Sequence, residues 1–115
     1  LQSAVEDSLR RLDIATIPLY LLHAPDPSVP LERSLEAVER LREAGKIGAV
    51  GLSNFPLAGI QQACGLAEIA AVQCRYNLLE RTPEAALLPW CRERGIGVLA
   101  YGPLAEGLLA GKYTD

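Results

Sequence analysis

The stretch from Gly45 to Phe55 combines a helix stop, an apolar strand and two small polar residues with no spacer between them. Gly45 follows a helical pattern, and glycine is common just beyond the end of a helix. Ala49 to Leu52 is a short apolar run that predicts a buried strand, and Ser53 and Asn54 come directly after it. Loop groups on a rigid sheet often bind ligands. The stretch therefore predicts a helix and then a strand whose carboxyl end carries polar groups.

The same plan recurs along the chain. Helical spacing of apolar residues predicts helices over Leu1–Leu12, Leu31–Ala44, Pro56–Gly65 and Thr82–Gly95. The last helix should kink at Pro89, which lacks the N–H that would bond to Ala85. Apolar rather than alternating runs predict strands over Ile17–His23, Ala49–Leu52, Ile69–Gln73 and Gly97–Tyr101, and the first of them is expected to be buried on both faces. This order predicts an α/β fold with about four parallel strands and connecting helices.

Two kinds of parallel sheet fit this order: an open doubly wound sheet and part of a (β/α)8 TIM barrel. Polar or aromatic residues fall at the carboxyl end of each strand in turn: His23, Ser53 with Asn54, Gln73, and Tyr101. A barrel builds one site from several strand ends, whereas an open sheet concentrates its ligand contacts at one switch point. A partial barrel is therefore favoured. Because a complete barrel takes roughly 250 residues, a chain of 115 residues is expected to be a single-domain fragment.

Charge and cysteine usage exclude several classes of function. A net charge of -3 with a pI near 5.2 gives no basic stripe, so nucleic acid is not an expected partner. The longest apolar stretch, Ile14–Ala24, is too short to span a bilayer, which needs about 20 residues. Cys64, Cys74 and Cys91 are odd in number and form no CxxC pair, which favours reduced thiols in a cytoplasmic protein and gives no metal site.

Each strand-end group also has a purely structural interpretation. His23 could cap its strand with a backbone hydrogen bond, and Ser53 with Asn54 could cap the helix that begins near Pro56. Gln73 could bond only to loop backbone, and Tyr101 could be a core aromatic with its hydroxyl at the rim. These alternatives remain open at the level of the residues. Taken together, however, four such groups at successive strand ends should face the same opening.

Four motifs together resemble the central section of the aldo-keto reductases. They are Leu21-Leu22-His23; Gly45-Lys46-Ile47 with Val50 to Phe55; Val72-Gln73 followed by Tyr76 to Arg81; and Gly97 to Leu104. Their order and spacing match over essentially the whole chain. The resemblance implies a (β/α)8 barrel that binds NADPH in an extended form and reduces aldehydes or ketones to alcohols. A small-molecule carbonyl compound would be the substrate.

The resemblance also implies a role for each strand-end group. His23 matches the family's active-site histidine, which orients the substrate carbonyl. Ser53, Asn54 and Gln73 match the groups that hydrogen-bond the nicotinamide carboxamide, and Tyr101 matches the aromatic that stacks on the ring. Gly102, Pro103 and Leu104 match the start of the loop along the pyrophosphate. Such contacts would hold the ring in position for hydride transfer.

The chain departs from the family pattern in ways that affect its expected activity. The tyrosine, lysine and aspartate that serve proton donation match no residue here, and Ala24 and Gly102 stand where many members have Trp and Ser. We therefore expect residues 1–115 to run from the third helix to the seventh strand of the barrel and to be inactive alone. Open sheet edges would favour self-association. The alternative is a non-enzymatic half-barrel that assembles with itself or binds a partner chain.

Overall fold

Helices and strands alternate along residues 1–113, the part of the chain that the computed structural model describes. The α-helices are α1 (Gln2–Leu12), α2 (Leu31–Glu43), α3 (Leu57–Cys64) and α4 (Leu87–Glu93). The strands are β1 (Ile17–Leu22), β2 (Ile47–Ser53), β3 (Ala71–Arg75) and β4 (Gly97–Tyr101). Two 3-10 segments span Thr82–Ala85 and Ala105–Ala110. The predicted order of elements is confirmed, although β2 is longer than expected at both ends. The last two residues of the expected domain lie outside the described part.

The sequence of α2 explains both its burial and its end. Leu35, Val38 and Leu41 lie on one face of the helix and are buried. The helix stops because Gly45 adopts a left-handed φ of 71°, which residues with a side chain rarely take. The backbone N–H of Lys46 then donates to the carbonyl of Leu41, which satisfies a carbonyl in the last turn. The chain thus leaves α2 in the direction that begins β2.

The four strands form one parallel sheet in the sequential order β1-β2-β3-β4. Each strand pairs with the next one along the chain, and a helix lies between consecutive strands in the sequence. Within residues 1–113 the order never reverses, so the sheet lacks the switch point of an open doubly wound fold. The sequential order is that of consecutive units of a (β/α)8 barrel. The prediction of a partial barrel is confirmed.

The two faces of the sheet have different surroundings. Successive side chains on a strand point to opposite faces, and on β2 and β3 the buried Val50, Leu52 and Val72 lie on the face that meets the helices. This core also includes Val5, Leu35, Val38, Leu41, Ile60, Ala63 and Cys91 from the four helices. The positions between them, including Ser53 and Gln73, lie on the opposite face. One face therefore stabilises the fold, and the other is available for polar groups.

The expectation that the first strand is buried on both faces was wrong. All five residues of β4 are exposed, and Ile17 is the only buried residue of β1. β1 and β4 are the two edges of the sheet, and the helices of the described region contribute their buried residues to a core on one face. Apolar strands in a parallel sheet indicate that both faces become covered, and here one face and both edges are open.

The predicted helix over Thr82–Gly95 is broken at a different place from the one expected. A 3-10 segment ends at Ala85, and Ala86 has a φ of -145° that interrupts the helical backbone. α4 then begins at Leu87, so Pro89 is its third residue. The first N–H groups of a helix have no partner within the helix, so a proline there removes no helical hydrogen bond. The kink at Pro89 was therefore a wrong prediction.

Candidate functional site

The site begins where β2 and β3 end side by side. Ser53 is the last residue of β2, is 1% exposed, and pairs in register with Gln73. Its hydroxyl donates to Gln73 Oε1 over 2.9 Å. Gln73 is thus bonded to a side chain, and the alternative in which it bonds only to loop backbone is wrong. Because Ser53 is buried, its hydroxyl fixes the direction of the Gln73 amide on the open face of the sheet.

Asn54 connects the ends of three strands. It has a φ of 59°, a left-handed conformation that asparagine tolerates better than most residues. Its Nδ2 donates to Ser53 Oγ over 3.1 Å and to the His23 carbonyl over 3.2 Å, and its backbone N–H donates to the Gln73 carbonyl. α3 begins beyond Pro56 with no side-chain capping bond. The helix-cap interpretation of Ser53 and Asn54 is therefore wrong.

Tyr101 closes this network from the far side of β3. It is the last residue of β4, and its hydroxyl donates to Asn54 Oδ1 over 2.7 Å. Since β3 lies between β2 and β4, the tyrosine side chain reaches across the carboxyl end of β3. Tyr101 is 38% exposed, so it is not a core aromatic. Its side chain is therefore partly accessible to solvent.

His23 joins the network through its backbone. The residue follows directly after β1 and is exposed, and its carbonyl accepts the bond from Asn54. Within residues 1–113 its imidazole makes no hydrogen bond, so the interpretation of His23 as a strand cap is not supported. The structure therefore brings His23, Ser53, Asn54, Gln73 and Tyr101 to one edge of the sheet. The roles assigned to them from the resemblance stay predictions.

The loop after β4 lies beside this network. Gly102 has a left-handed φ of 61°, and its carbonyl accepts hydrogen bonds from Asn77 Nδ2 and from the N–H of Ala105. Pro103 and Leu104 are exposed and make no hydrogen bond to the strand-end side chains within the described residues. The first residue of the predicted pyrophosphate loop is thus held by protein contacts, and the next two face solvent.

Two further polar residues, Arg75 and Asn77, lie near the site, and no role was predicted for them from the sequence. Arg75 ends β3 opposite Tyr101 in the register, and its guanidinium forms an ion pair with Glu106 at 3.1 Å. Asn77 is only 9% exposed and bonds to both its own loop and Gly102. The available signal for Asn77 was its place at the start of the loop after β3, where asparagine often bonds to the backbone two residues on.

Tyr76 has the wrong electrostatics for a proton donor. Its hydroxyl donates to Glu84 Oε1 over 2.7 Å, and this hydrogen bond raises the pKa of Tyr76 above its ordinary value. Burial and the charge of Glu84 act in the same direction. An efficient general acid at neutral pH needs a pKa shifted the other way. Tyr20 packs against the hydrophobic core instead of joining the network.

Metal binding and membrane spanning are two other functions for which the described region offers little. Across residues 1–113, no three His, Cys, Asp or Glu side chains are grouped so as to hold a metal ion. The cysteines of this region are free thiols. None of its helices has both the length and the apolar character needed to cross a membrane. The hydrogen-bonded network at the strand ends is thus the principal candidate site.

Comparisons with known proteins agree with this architecture. The model of the aldo/keto reductase family matches residues 1–115. An aldo-keto reductase from Bacillus subtilis is 43% identical over 111 residues, which are 96% of this chain and 34% of that protein. A probable aldo-keto reductase from Glycine max is 40% identical over 96% of this chain and 32% of its own length.

Solved structures give the same result. A glycerol dehydrogenase from Gluconobacter oxydans superposes with a TM-score of 0.95 at 41% identity, over 99% of this chain and 35% of that one. An aldo/keto reductase from Klebsiella pneumoniae in complex with NADP and acetate gives a TM-score of 0.84 at 38% identity, over 96% and 40% of the two chains. The present chain spans about a third of the length of the curated relatives it matches.

Proposed function

Because this chain belongs to the aldo/keto reductase family, we propose that its strand-end network is the nicotinamide-binding part of an NADPH-dependent carbonyl reductase. The whole enzyme would reduce aldehydes or ketones to alcohols, and residues 1–115 would extend from the third helix to the seventh strand of its barrel. The observation that carries this proposal is the network of Ser53, Asn54, Gln73 and Tyr101 at the carboxyl ends of adjacent parallel strands.

The donor set of this network fits a nicotinamide ring with its carboxamide. Gln73 Oε1 already accepts from Ser53, and within residues 1–113 the Gln73 Nε2 makes no hydrogen bond, so it can donate to a carboxamide oxygen. Tyr101, which bonds to Asn54 in the same network, offers a partly accessible aromatic surface. The Klebsiella pneumoniae relative, which was solved with NADP, supports the same cofactor here. When bound, NADPH would supply the hydride for the reduction.

The residues of this chain would position the reaction. Ser53 holds the Gln73 amide in one orientation, and Asn54 Oδ1 holds the Tyr101 side chain by accepting a hydrogen bond from the Tyr101 hydroxyl. Restricting the rotation of a bound ring in this way lowers the entropic part of the barrier to hydride transfer. His23, whose imidazole is exposed, would orient the carbonyl of the substrate. Gly102, Pro103 and Leu104 would lie along the pyrophosphate.

The chain alone is proposed to be inactive, because no residue here matches the tyrosine, lysine and aspartate that serve proton donation in the family. Tyr76 is bonded to Glu84, and Tyr20 packs against the core. Pure 115-residue protein mixed with NADPH and a reactive aldehyde should therefore show no loss of NADPH absorbance above a protein-free control. Turnover that rises in proportion to the protein concentration would contradict this part of the proposal.

The binding part of the proposal has its own experiment. Gln73→Leu removes the amide donor but keeps a side chain of similar size. We expect it to weaken binding of NADPH to the chain roughly three- to tenfold, as loss of one net hydrogen bond implies. Gln61→Leu on the exposed surface of α3 is the matched control and should leave the affinity unchanged. Equal affinity of the Gln73 and Gln61 variants, measured by titration of NADPH fluorescence, would refute the assignment.

A second candidate function is favoured by the open edges of the sheet. The non-enzymatic half-barrel would cover β1 and β4 with a second copy or with a partner chain, since unpaired strands readily pair with other strands. Light scattering across a concentration series should then show a dimer or a larger assembly. A monomer at all concentrations would exclude self-association. We place either form in the cytoplasm on the basis of its free cysteines.

A further inference from the structure

We propose that Asn77 is a positioning residue that sets the place of Tyr101 and of the loop after β4. The inference rests on the proposed function, because it gives Asn77 an effect on the nicotinamide site without contact with the ring. The family resemblance assigned no ligand contact to Asn77. Its proposed role is argued from its hydrogen bonds alone. It lies in the loop between β3 and the first 3-10 segment.

Asn77 first organises its own loop. Its Oδ1 accepts hydrogen bonds from the N–H groups of Leu79 and Glu80, both at 2.9 Å. Its backbone N–H donates to the Glu80 carbonyl over 3.1 Å. An asparagine that bonds to the backbone two residues on forms a defined turn. The side chain is 9% exposed, so the turn holds the Asn77 amide in a fixed and largely buried position.

The other end of the same amide reaches the next strand. Asn77 Nδ2 donates to the Gly102 carbonyl over 2.9 Å, and that carbonyl also accepts from the Ala105 N–H over 3.0 Å. The backbone N–H of Tyr76 donates to the Tyr101 carbonyl over 3.3 Å. The carbonyls of Tyr101, at the end of β4, and of Gly102, just after it, are thus held by two successive residues after β3. A carbonyl has two lone pairs, so both acceptor positions of Gly102 are occupied.

The backbone after Tyr101 needs such support because of its conformation. Gly102 lies in the left-handed region with a φ of 61°, and Ala105 and Glu106 do so as well with φ of 48° and 58°. Residues with a side chain persist in this region only where the surrounding structure holds them. Without the bond from Asn77, the glycine can rotate and carry the Tyr101 backbone with it. The Tyr101 hydroxyl would then lose its place beside Asn54 Oδ1.

Asn77→Ser removes the hydrogen bond to the Gly102 carbonyl and keeps a hydrogen bond within the turn. A serine hydroxyl can still accept from the N–H two residues on, but it is too short to reach the Gly102 carbonyl. We expect amide hydrogen exchange at Ala105 to become roughly three- to tenfold faster, because one hydrogen bond to its acceptor carbonyl is lost. Exchange at Val72 in the core should not change. Gln61→Ser on the surface of α3 is the control and should change neither amide.

The same variants are then titrated with NADPH, with reduced nicotinamide mononucleotide and with adenosine 2′,5′-bisphosphate. Asn77→Ser should weaken the first two ligands roughly three- to tenfold and leave the adenosine ligand unaffected. Unchanged exchange at Ala105 would overturn the proposal. Faster exchange with unchanged affinity for the mononucleotide would also overturn it, since Asn77 would then act on the loop only.

The failure of the proposed function is distinguishable from this outcome. If the unmodified chain binds neither nicotinamide ligand, the proposed function is wrong for this chain. The ring resonances of isotopically labelled Tyr101 then decide the role of Asn77 without a ligand. Asn77→Ser should shift them, whereas Gln61→Ser should not. Unshifted Tyr101 resonances in Asn77→Ser would overturn the positioning role.

Discussion

Ser53→Ala removes the hydroxyl that the strand-end network shares between two side chains. The Ser53 hydroxyl donates to Gln73 Oε1 over 2.9 Å and accepts from Asn54 Nδ2 over 3.1 Å. Ser53 itself is 1% exposed. Because alanine is smaller than serine, it fits this buried position without a clash. The substitution therefore tests the two hydrogen bonds with little change in packing.

The expected cost follows from the burial of the two partners. A typical hydrogen bond contributes about 0.5 to 1.5 kcal/mol net, and leaving a buried partner unsatisfied adds to the cost of its removal. Here two bonds are lost, but Gln73 is only half-buried and Asn54 is exposed, so water can reach both of them. We therefore expect Ser53→Ala to lower the free energy of unfolding by about 1 to 2 kcal/mol.

Urea unfolding of the isolated chain measures this change directly. The midpoint should fall while the slope of the transition stays the same, because the area exposed on unfolding does not change. Ser8→Ala is the matched control: its hydroxyl donates to the Ala4 carbonyl on exposed α1, and its loss should cost within about 0.5 kcal/mol. A double-mutant cycle of Ser53→Ala with Gln73→Met should give a coupling energy of about 0.5 to 1.5 kcal/mol.

Two results would refute this reasoning. If Ser53→Ala costs no more than Ser8→Ala, the buried hydroxyl does not hold the network. If Ser53→Ala is costly but the cycle gives no coupling to Gln73, the cost arises from packing and not from the hydrogen bond.

Three further predictions concern the core, acid stability and thiol reactivity. Leu52→Ala, at a position 1% exposed, should lower the free energy of unfolding in urea by about 2 to 5 kcal/mol. Leu78→Ala, at a position 75% exposed, should lower it by under about 0.5 kcal/mol. Similar losses in the two variants would contradict the assignment of the core. Hydrogen bonds from an arginine and then a tyrosine lower the pKa of Glu84 below its ordinary value of 4.5, so its contribution to stability is present above pH 4.5 and is lost as the pH falls through the folded-state pKa. Glu84→Gln should therefore flatten the acid limb of the stability profile, and a variant with the same acid limb as the parent would count against this. Burial raises the pKa of both thiols, but Cys91 is fully buried whereas Cys64 is only partly buried. Iodoacetamide should therefore label Cys64 well before Cys91 in the folded chain, and equal rates would show that the core does not shield Cys91.

The fold was predictable because its signals are local and periodic. Apolar residues at helical spacing defined α2, and Gly45 marked its end because few other residues adopt its φ. The convergence of His23, Asn54 and Tyr101 followed from topology alone, since the carboxyl ends of parallel strands share one edge of the sheet. Neither conclusion required knowledge of side-chain contacts.

The details that the sequence missed depend on contacts between distant residues. The helical backbone breaks at Ala86 and not at Pro89, since α4 begins at Leu87 and a proline is tolerated in the first turn of a helix. The proline alone does not tell where that first turn begins. The exposure of β4 depends on what covers the sheet, and the apolar composition of a strand does not report this. The bond from Asn77 to Gly102 joins residues 25 positions apart, and no local pattern predicts such a pair.

Leu52 and Ser53 stand next to each other on β2 but serve opposite sides of the sheet, one in the core and the other in the strand-end network. Insertion or deletion of a single residue within Ile47–Ser53 would exchange these sides, placing a hydroxyl among the helices and a leucine beside Gln73. Evolution can therefore alter this strand by substitution but not in length. Among homologous genes, changes of length should accumulate in the loops and leave this strand with a constant number of codons.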